Sequence, residues 1–333
     1  MRRRLTRATA VRLVAGLAAC LLALTGCRAQ QLLTEDQPAP NGGTLSIAAG
    51  NSTGVYYIIG GAIARLIGQH LTGYRATVEV TDASVENVRR VVDGESQLGF
   101  TTADIATDAV RGEGSFGSPQ PIRALARTYN NVIHVVVRTD AKISSLKDLK
   151  RKRVSTGAPG SGTEVIVLRL LTLAGLNPDH DVQRKKLDLQ MTTDRMKDGG
   201  IDAMIWSGGL PTVGIKDLFH QAKGTVKFLA LDSYLGRMQN QYTPLYGAGT
   251  IPKGVYGTDK DVPTIAVPNL LMVRDTMGDD LAYKLTKLIF DYKADLVRAH
   301  DEARNINLRL AQDTGEVALH DGAKRYYREH PSG

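Results

Sequence analysis

The chain has 333 residues, with 42 Lys and Arg against 34 Asp and Glu and 42% hydrophobic residues. These values exclude disorder over most of the chain and suggest about two domains. With Cys20 and Cys27 as its only cysteines, the chain has neither a disulfide scaffold nor a Cys-based zinc site.

The first 27 residues account for most of the net charge of +8. Arg2, Arg3, Arg4, Arg7 and Arg12 precede an apolar run from Leu13 to Leu24, which ends in Leu24-Thr25-Gly26-Cys27. A basic start, a short apolar run and small residues at its end describe a secretory signal. A membrane span needs about 20 apolar residues, more than this run supplies. Leu-Thr-Gly-Cys resembles the bacterial lipobox, which implies a signal over residues 1–26 and lipidation of Cys27. Plain secretion with a free Cys27 is the alternative. Removing residues 1–26 takes away five Arg and no acid, leaving 37 basic against 34 acidic residues, a net of +3. Such a balance gives no footing for nucleic acid. Residues 27–41 are polar with two prolines and read as a lipid-anchored flexible tether. The expected location is extracytoplasmic, at the outer face of a bacterial cell membrane.

From residue 42 the patterns alternate. Thr44 to Ala48 reads as a strand, followed by the turn Gly50-Asn51-Ser52-Thr53-Gly54. Ile58, Ile59, Ile63, Leu66, Ile67 and Leu71 then recur at helical spacing. Strands are expected at Ala76 to Val80, Leu98 to Thr101 and Ile122 to Ala126. Helices are expected at Ser84 to Val92 and Ala103 to Val110. This order predicts a parallel sheet covered by helices. A second α/β set begins with strands at Val132 to Arg138 and Val154 to Thr156. It continues with a helix at Val165 to Ala174 and short strands at Val182 to Lys186, Met204 to Trp206 and Val226 to Leu229. Tyr242 to Thr264 reads as a long structured loop and Ile265 to Val273 as a strand. Leu281, Leu285, Leu288, Ile289, Tyr292 and Leu296 mark an amphipathic helix. Two α/β units predict two lobes, with a ligand in the crevice at the carboxyl ends of the strands.

Five turns at strand ends carry the chemistry. Ala158-Pro159-Gly160-Ser161-Gly162-Thr163-Glu164 opens a helix, where backbone N–H groups and the helix dipole suit an anion. As a bare turn it fits equally a capped strand-to-helix connection. It is not a P-loop, because Thr163 stands at the Lys position. It is not a nucleophile elbow either, because Pro159 replaces the first Gly around Ser161. The other turns are Ala49 to Tyr57, Phe100 to Asp104, Trp206 to Pro211 and Tyr246 to Pro252. Each also fits a plain capping or packing role, and Asp104 alone reads best as a complement to the helix dipole. The seven His show no metal-binding spacing. The basic run Lys147 to Arg153 reads as a solvated face.

The matching stretches are short, but together they are specific. They include Gly54-Val55-Tyr56-Tyr57 with Gly60-Gly61, Val78 to Thr81 with Ser84 to Asn87, and Leu98-Gly99-Phe100. Ile122 to Leu125, His134 to Arg138, Gly157 to Glu164, Gly249 to Pro252 and Asp261 to Thr264 follow in order. In these stretches the chain resembles the TAXI family of extracytoplasmic solute receptors, which serve TRAP-type transporters. The resemblance covers residues 44 to about 298. It implies the type II periplasmic-binding-protein fold, two α/β lobes with a cleft. The expected lobes are residues 42–131 with 258–333, and residues 132–257. It implies non-enzymatic capture of a small organic anion, glutamate-like or another carboxylate, without cofactor or metal, and delivery to a TRAP-type permease. The carry-over places Thr53, Tyr57, Thr102, Gly160, Ser161, Gly162, Thr163 and Thr250 in the cleft. The family often has Gly where Asn51 and Arg151 stand, and some members have Gln where Thr102 stands. Arg127, near the first crossing, suits a surface role better than a carboxylate clamp. The same fold also suits a ligand-sensing lipoprotein that presents its solute to a membrane signalling kinase. A hydrolase using Ser161 is disfavoured, because no base is placed beside it.

Overall fold

The computed structural model describes residues 42–331, so the expected signal, tether and lipidated Cys27 lie outside the described residues. The chain begins with β1 (Gly43–Ala48), α1 (Val55–His70), β2 (Tyr74–Glu79), α2 (Ser84–Val92), β3 (Leu98–Thr102) and α3 (Ala103–Arg111). It continues with β4 (Ile122–Arg138), β5 (Arg153–Ser155), α4 (Gly162–Leu173), β6 (Gln183–Lys185) and α5 (Leu189–Lys197). Then come β7 (Ala203–Gly208), α6 (Val213–Gln221), β8 (Val226–Leu229), α7 (Leu235–Gln241) and β9 (Gly247–Ile251). The last elements are β10 (Val262–Arg274), α8 (Asp279–Asp291), α9 (Lys293–Ala299), α10 (Leu308–Ala311) and α11 (Asp321–Glu329).

The strands form one sheet in the order β2-β1-β3-β10-β4-β7-β5-β6, with β8 on β4 and β9 on β10. It is mixed, whereas the alternation of strands and helices predicts a parallel one. β1 with β3, and β5 with both β6 and β7, are parallel as expected. β10 runs antiparallel to β3 and β4, and β4 runs antiparallel to β7. The reason is that two long strands pass through the middle of the sheet in opposite directions. The expected strands at Ile122 and Val132 are one 17-residue strand. The polar residues Thr128 to Asn131 read as a break, yet Thr128 and Asn131 are buried and hydrogen-bonded. The expected loop Tyr242 to Thr264 contains β9, which pairs with the first half of β10. Arg151 takes a left-handed φ of 62°, the backbone region that favours glycine.

Four apolar clusters hold the sheet between helices. Ile47, Ile63, Phe100, Leu271 and Leu288 belong to one, and Val88, Ile105, Leu270 and Met272 to the next. Past the crossing, Ile133, Val135, Leu170, Ile205 and Ile265 form a third. Val132, Val136, Met204, Ile215 and Leu218 form the fourth. Alternate residues of β4 thus feed opposite faces, as the two-residue side-chain period requires. Each large apolar side chain buried this way contributes about 1.5–3 kcal/mol. The C-terminal helix α11 packs on the first cluster through Tyr326 and Tyr327, and the Tyr327 hydroxyl donates to the Leu125 carbonyl at 2.8 Å.

Asn87 on α2 fixes the strand ends near the crevice. Its amide donates to the Ala49 and Phe100 carbonyls, both at 2.7 Å. The Ala49 carbonyl follows β1 and the Phe100 carbonyl lies within β3, so one side chain ties these two neighbouring strands together.

Candidate ligand-binding site

A cavity of about 300 Å³ lies where the helices begin. Gly54, Thr102, Ser161 and Thr212, the residues preceding α1, α3, α4 and α6, all line it. Ser84 and Leu189, the first residues of α2 and α5, line it too. The first N–H groups of a helix have no partner within the helix and carry partial positive charge. The Ser161 hydroxyl answers one of them, accepting the Glu164 N–H at 3.0 Å. Gly54, Thr102 and Thr212 provide no such side-chain cap.

The side chains add neutral donors. Tyr129, Trp206 and Thr102 line the cavity, and the Tyr129 hydroxyl, Trp206 Nε1 and Thr102 Oγ1 are buried without a partner among the described residues. A buried polar group left unpaired costs about 1–3 kcal/mol, so three in one cavity mark a place for an acceptor. Burial pushes the Tyr129 hydroxyl pKa well up, which keeps it a neutral donor. Among the described residues no Lys, Arg or His lines the cavity, but Asp82, Glu86 and Asp188 do. Partial burial and the neighbouring Glu86 and Asp188 carboxylates hold the Asp82 carboxyl above its ordinary range. The wall therefore combines neutral donors with three carboxylates. Among the described residues no cluster of His, Cys, Asp or Glu suits a metal ion.

The two halves touch around the cavity. The Gly160 carbonyl accepts the Val85 and Glu86 N–H groups at 3.2 and 3.3 Å. Gly209 packs so tightly that a Cβ there would lie 2.9 Å from Tyr129 and 3.0 Å from Val55. Glu302 accepts the Leu210 N–H at 2.6 Å. On the far flank, Arg169 of α4 donates to Asp104 at 2.8 Å and Asp108 at 2.5 Å, both on α3. The Tyr246 hydroxyl joins them, donating to Asp104 at 2.5 Å. Burial raises the Asp108 carboxyl pKa, with Arg169 opposing that rise. Burial works against the charged Arg169, but Asp104, Tyr246 and Asp108 outweigh it and hold its pKa above the ordinary value. Asp104 is thus an ion-pair partner and more than the dipole complement its position implies.

Two polar chains run beneath the cavity. The Tyr56 hydroxyl donates to the Asn269 carboxamide oxygen at 2.6 Å, and the Asn269 amide donates to Asn131 at 2.9 Å. Asn131 in turn reaches the Ser207 hydroxyl at 3.4 Å. In the second chain, His134 Nδ1 lies 3.0 Å from the Val132 carbonyl, which can only accept, so Nδ1 carries the proton. Nε2 is then bare and accepts from the Tyr256 hydroxyl at 2.9 Å. That hydroxyl accepts the Thr212 N–H at 2.9 Å and fixes the entry to α6.

The eight residues expected in the cleft divide. Thr102, Ser161, Gly162 and Thr163 line the cavity together. Thr163 also accepts the Ser207 N–H at 3.2 Å. Thr53, Tyr57, Gly160 and Thr250 do not line it. Thr53 bonds to Asn51, which does. Tyr57 packs against the first apolar cluster, Gly160 supplies the carbonyl described above, and Thr250 is exposed on β9. Arg127 pairs with Asp313 at 2.5 Å. The sequence reading missed Tyr129, Asn131, Ser84 and Thr212. The signal for the first two was a polar run inside an apolar strand, which marks side chains that face a cavity.

Two solved structures share this architecture. The binding component of a phosphonate ABC transporter from Pseudomonas aeruginosa matches at 14% identity with a TM-score of 0.54, over 81% of this chain and 80% of that one. An ancestral arginine-binding protein bound to arginine matches at 15% identity with a TM-score of 0.50, over 79% of this chain and 99% of that one. At such identities the likeness establishes the fold, the two-lobed type II periplasmic-binding-protein architecture. With a family model matched over residues 47–330, the chain belongs to the NMT1-like family.

Proposed function

We infer that the protein is an extracytoplasmic solute-binding receptor that captures a small organic carboxylate in this cavity and delivers it to a TRAP-type permease. The observation that carries the reading is the set of three buried, unpartnered polar atoms on Thr102, Tyr129 and Trp206 around one cavity. Uncapped helix N-termini and neutral hydroxyls hold a carboxylate without burying a cation to meet it. Asp82, Glu86 and Asp188 disfavour a second carboxylate and favour an ammonium group at the other end of the ligand. The solute is accordingly an amino acid or an acid with one carboxylate, ahead of a dicarboxylate.

We place Thr102, Ser161, Gly162 and Thr163 in direct contact with the ligand. Thr53, Tyr57 and Gly160 support its walls, and Thr250 takes a role only if β9 moves. We place the first lobe crossing near Asn131 and the second within β10, where Ile265 and Val267 pack with Ile133 while Leu271 and Val273 pack with Leu45. Lipidation at Cys27 would hold the receptor beside its permease.

The single tryptophan, Trp206, lines the cavity and makes an internal reporter. Its emission is followed while small carboxylates, amino acids, sulfonates and phosphonates are titrated in. Saturable change with an amino acid or monocarboxylate supports the reading. Saturation with only a phosphonate, a sulfonate or an uncharged ligand sinks it.

A further inference from the structure

A second concavity, an open groove of about 1070 Å³, lies away from the ligand cavity between α6, β8 and the turn from Gly254 to Lys260. Its floor is aromatic. Phe219 and Phe228 stack at 4.4 Å between ring centroids, and Tyr256 lies 5.7 Å from Phe228. Its rim is basic, with Lys216, Lys223, Lys227, Lys260 and His220 all exposed. Among the described residues Asp259 is the one carboxylate in its wall. Among the described residues, the lysines that form ion pairs are Lys150, Lys186, Lys197, Lys287 and Lys324. The four groove lysines are not among them. Four unpaired ammonium groups on one rim repel one another and attract an anionic partner. Neither the ligand cavity nor the fold requires them there.

We propose that this groove docks an acidic, aromatic-bearing segment of a partner protein. The charge complement of the rim is a row of Asp or Glu carboxylates. The complement of the floor is an aromatic or large apolar side chain, since stacked rings favour such company. A concave groove suits a protruding peptide segment, whereas an anionic bilayer surface is flat. Charged rims of this kind speed encounter and set orientation, and their effect falls with salt. The proposal stands whatever the ligand cavity binds.

The test uses the purified full chain and a synthetic peptide of glutamates flanking two phenylalanines, labelled for fluorescence anisotropy. The peptide binds at low salt and weakens as salt rises. The triple variant K216E/K223E/K227E loses at least tenfold in peptide affinity. A matched triple, K284E/R309E/R328E, changes net charge equally at exposed positions on α8, α10 and α11 and keeps wild-type affinity. Circular dichroism establishes that both variants are folded. Equal loss in the two triples would mean that only net charge matters, and the docking groove would be wrong. No peptide binding also overturns it, as does binding to phosphatidylglycerol vesicles that the groove triple abolishes while the peptide fails to bind.

Discussion

Gly162 faces Ser84 across the cavity so closely that a Cβ on it would stand 2.7 Å from the Ser84 hydroxyl and 3.2 Å from Thr102 Oγ1. The first residue of α4 and the first of α2 therefore meet only because one of them lacks a side chain. We expect Gly162→Ala to hold the two halves apart. A receptor whose competent state is rarely populated binds with affinity reduced by that fraction. The loss is tenfold or more in ligand affinity, about 1.4 kcal/mol, with the melting temperature of the free protein little changed. Titration of Trp206 emission measures it, and unchanged affinity would show that these helices need not approach for binding.

Trp206→Phe removes an N–H that has no partner among the described residues. Its expected effect on stability is accordingly small. Ligand affinity falls by about tenfold if Nε1 donates to a carboxylate, since a hydrogen bond to a charged group contributes about 1.5–3 kcal/mol. Calorimetric titration reads this without the tryptophan reporter. An affinity equal to wild type would remove Nε1 from the site.

Thr102→Val and Thr250→Val make a contrast between a buried cavity wall and an exposed strand. The first lowers affinity severalfold, and the second leaves it at the wild-type value. The reverse result would mean that β9 folds over the ligand.

Arg169 pairs with two carboxylates in a place largely shielded from water. Removing one member of a buried ionic set costs about 3–5 kcal/mol, because the remaining charge is stranded. We expect Arg169→Met to be strongly destabilised in urea denaturation. Adding Asp104→Asn and Asp108→Asn recovers most of the loss. A triple variant no more stable than Arg169→Met would contradict this view of the cluster.

Burial pushes the His134 pKa down to about 4. The unfolded chain binds a proton near 6.5, so between about pH 6.5 and 4 the unfolded state holds more protons than the folded one. Stability contributed by neutral His134 is complete above 6.5 and lost as pH falls toward 4, on the order of 3 kcal/mol in all. His134→Gln keeps an acceptor for the Tyr256 hydroxyl but has no proton to gain. Its melting temperature falls less than that of the wild type between pH 7.5 and 5. Parallel curves for the two proteins would rule out this source of acid sensitivity.

The elements legible in the sequence were those whose signal is local. The start of α2 at Ser84 and the bounds of β8 match the expected ones, although Ala83 and not Ser84 precedes the helix and no side chain caps it. The direction of β10 was not legible, since a strand's partners lie far along the chain. The anion turn from Ala158 to Glu164 was visible because glycines and hydroxyls before a helix have a physical purpose wherever they fall. Tyr129 and Asn131 showed only as part of a polar run, and the role of Asn131 depends on Asn269 and Ser207, 138 and 76 residues away. The same holds for Arg169, whose two carboxylates belong to another helix.

The sheet narrows where the chain crosses between its halves. β9 accompanies β10 only as far as Ala266, and β3 joins it from Asn269. β7 leaves β4 at Val132. At Val267 and Pro268 only β4 and β10 remain side by side, and Pro268, which has no N–H to give, sits where a neighbouring strand is missing. A two-stranded ribbon is far less stiff than the panels on either side of it. On β10 the ribbon is only two residues long, Val267 and Pro268, facing Asn131 and Asn130 of β4. A twist of this isthmus would turn one panel against the other with every rung of the flanking sheets intact.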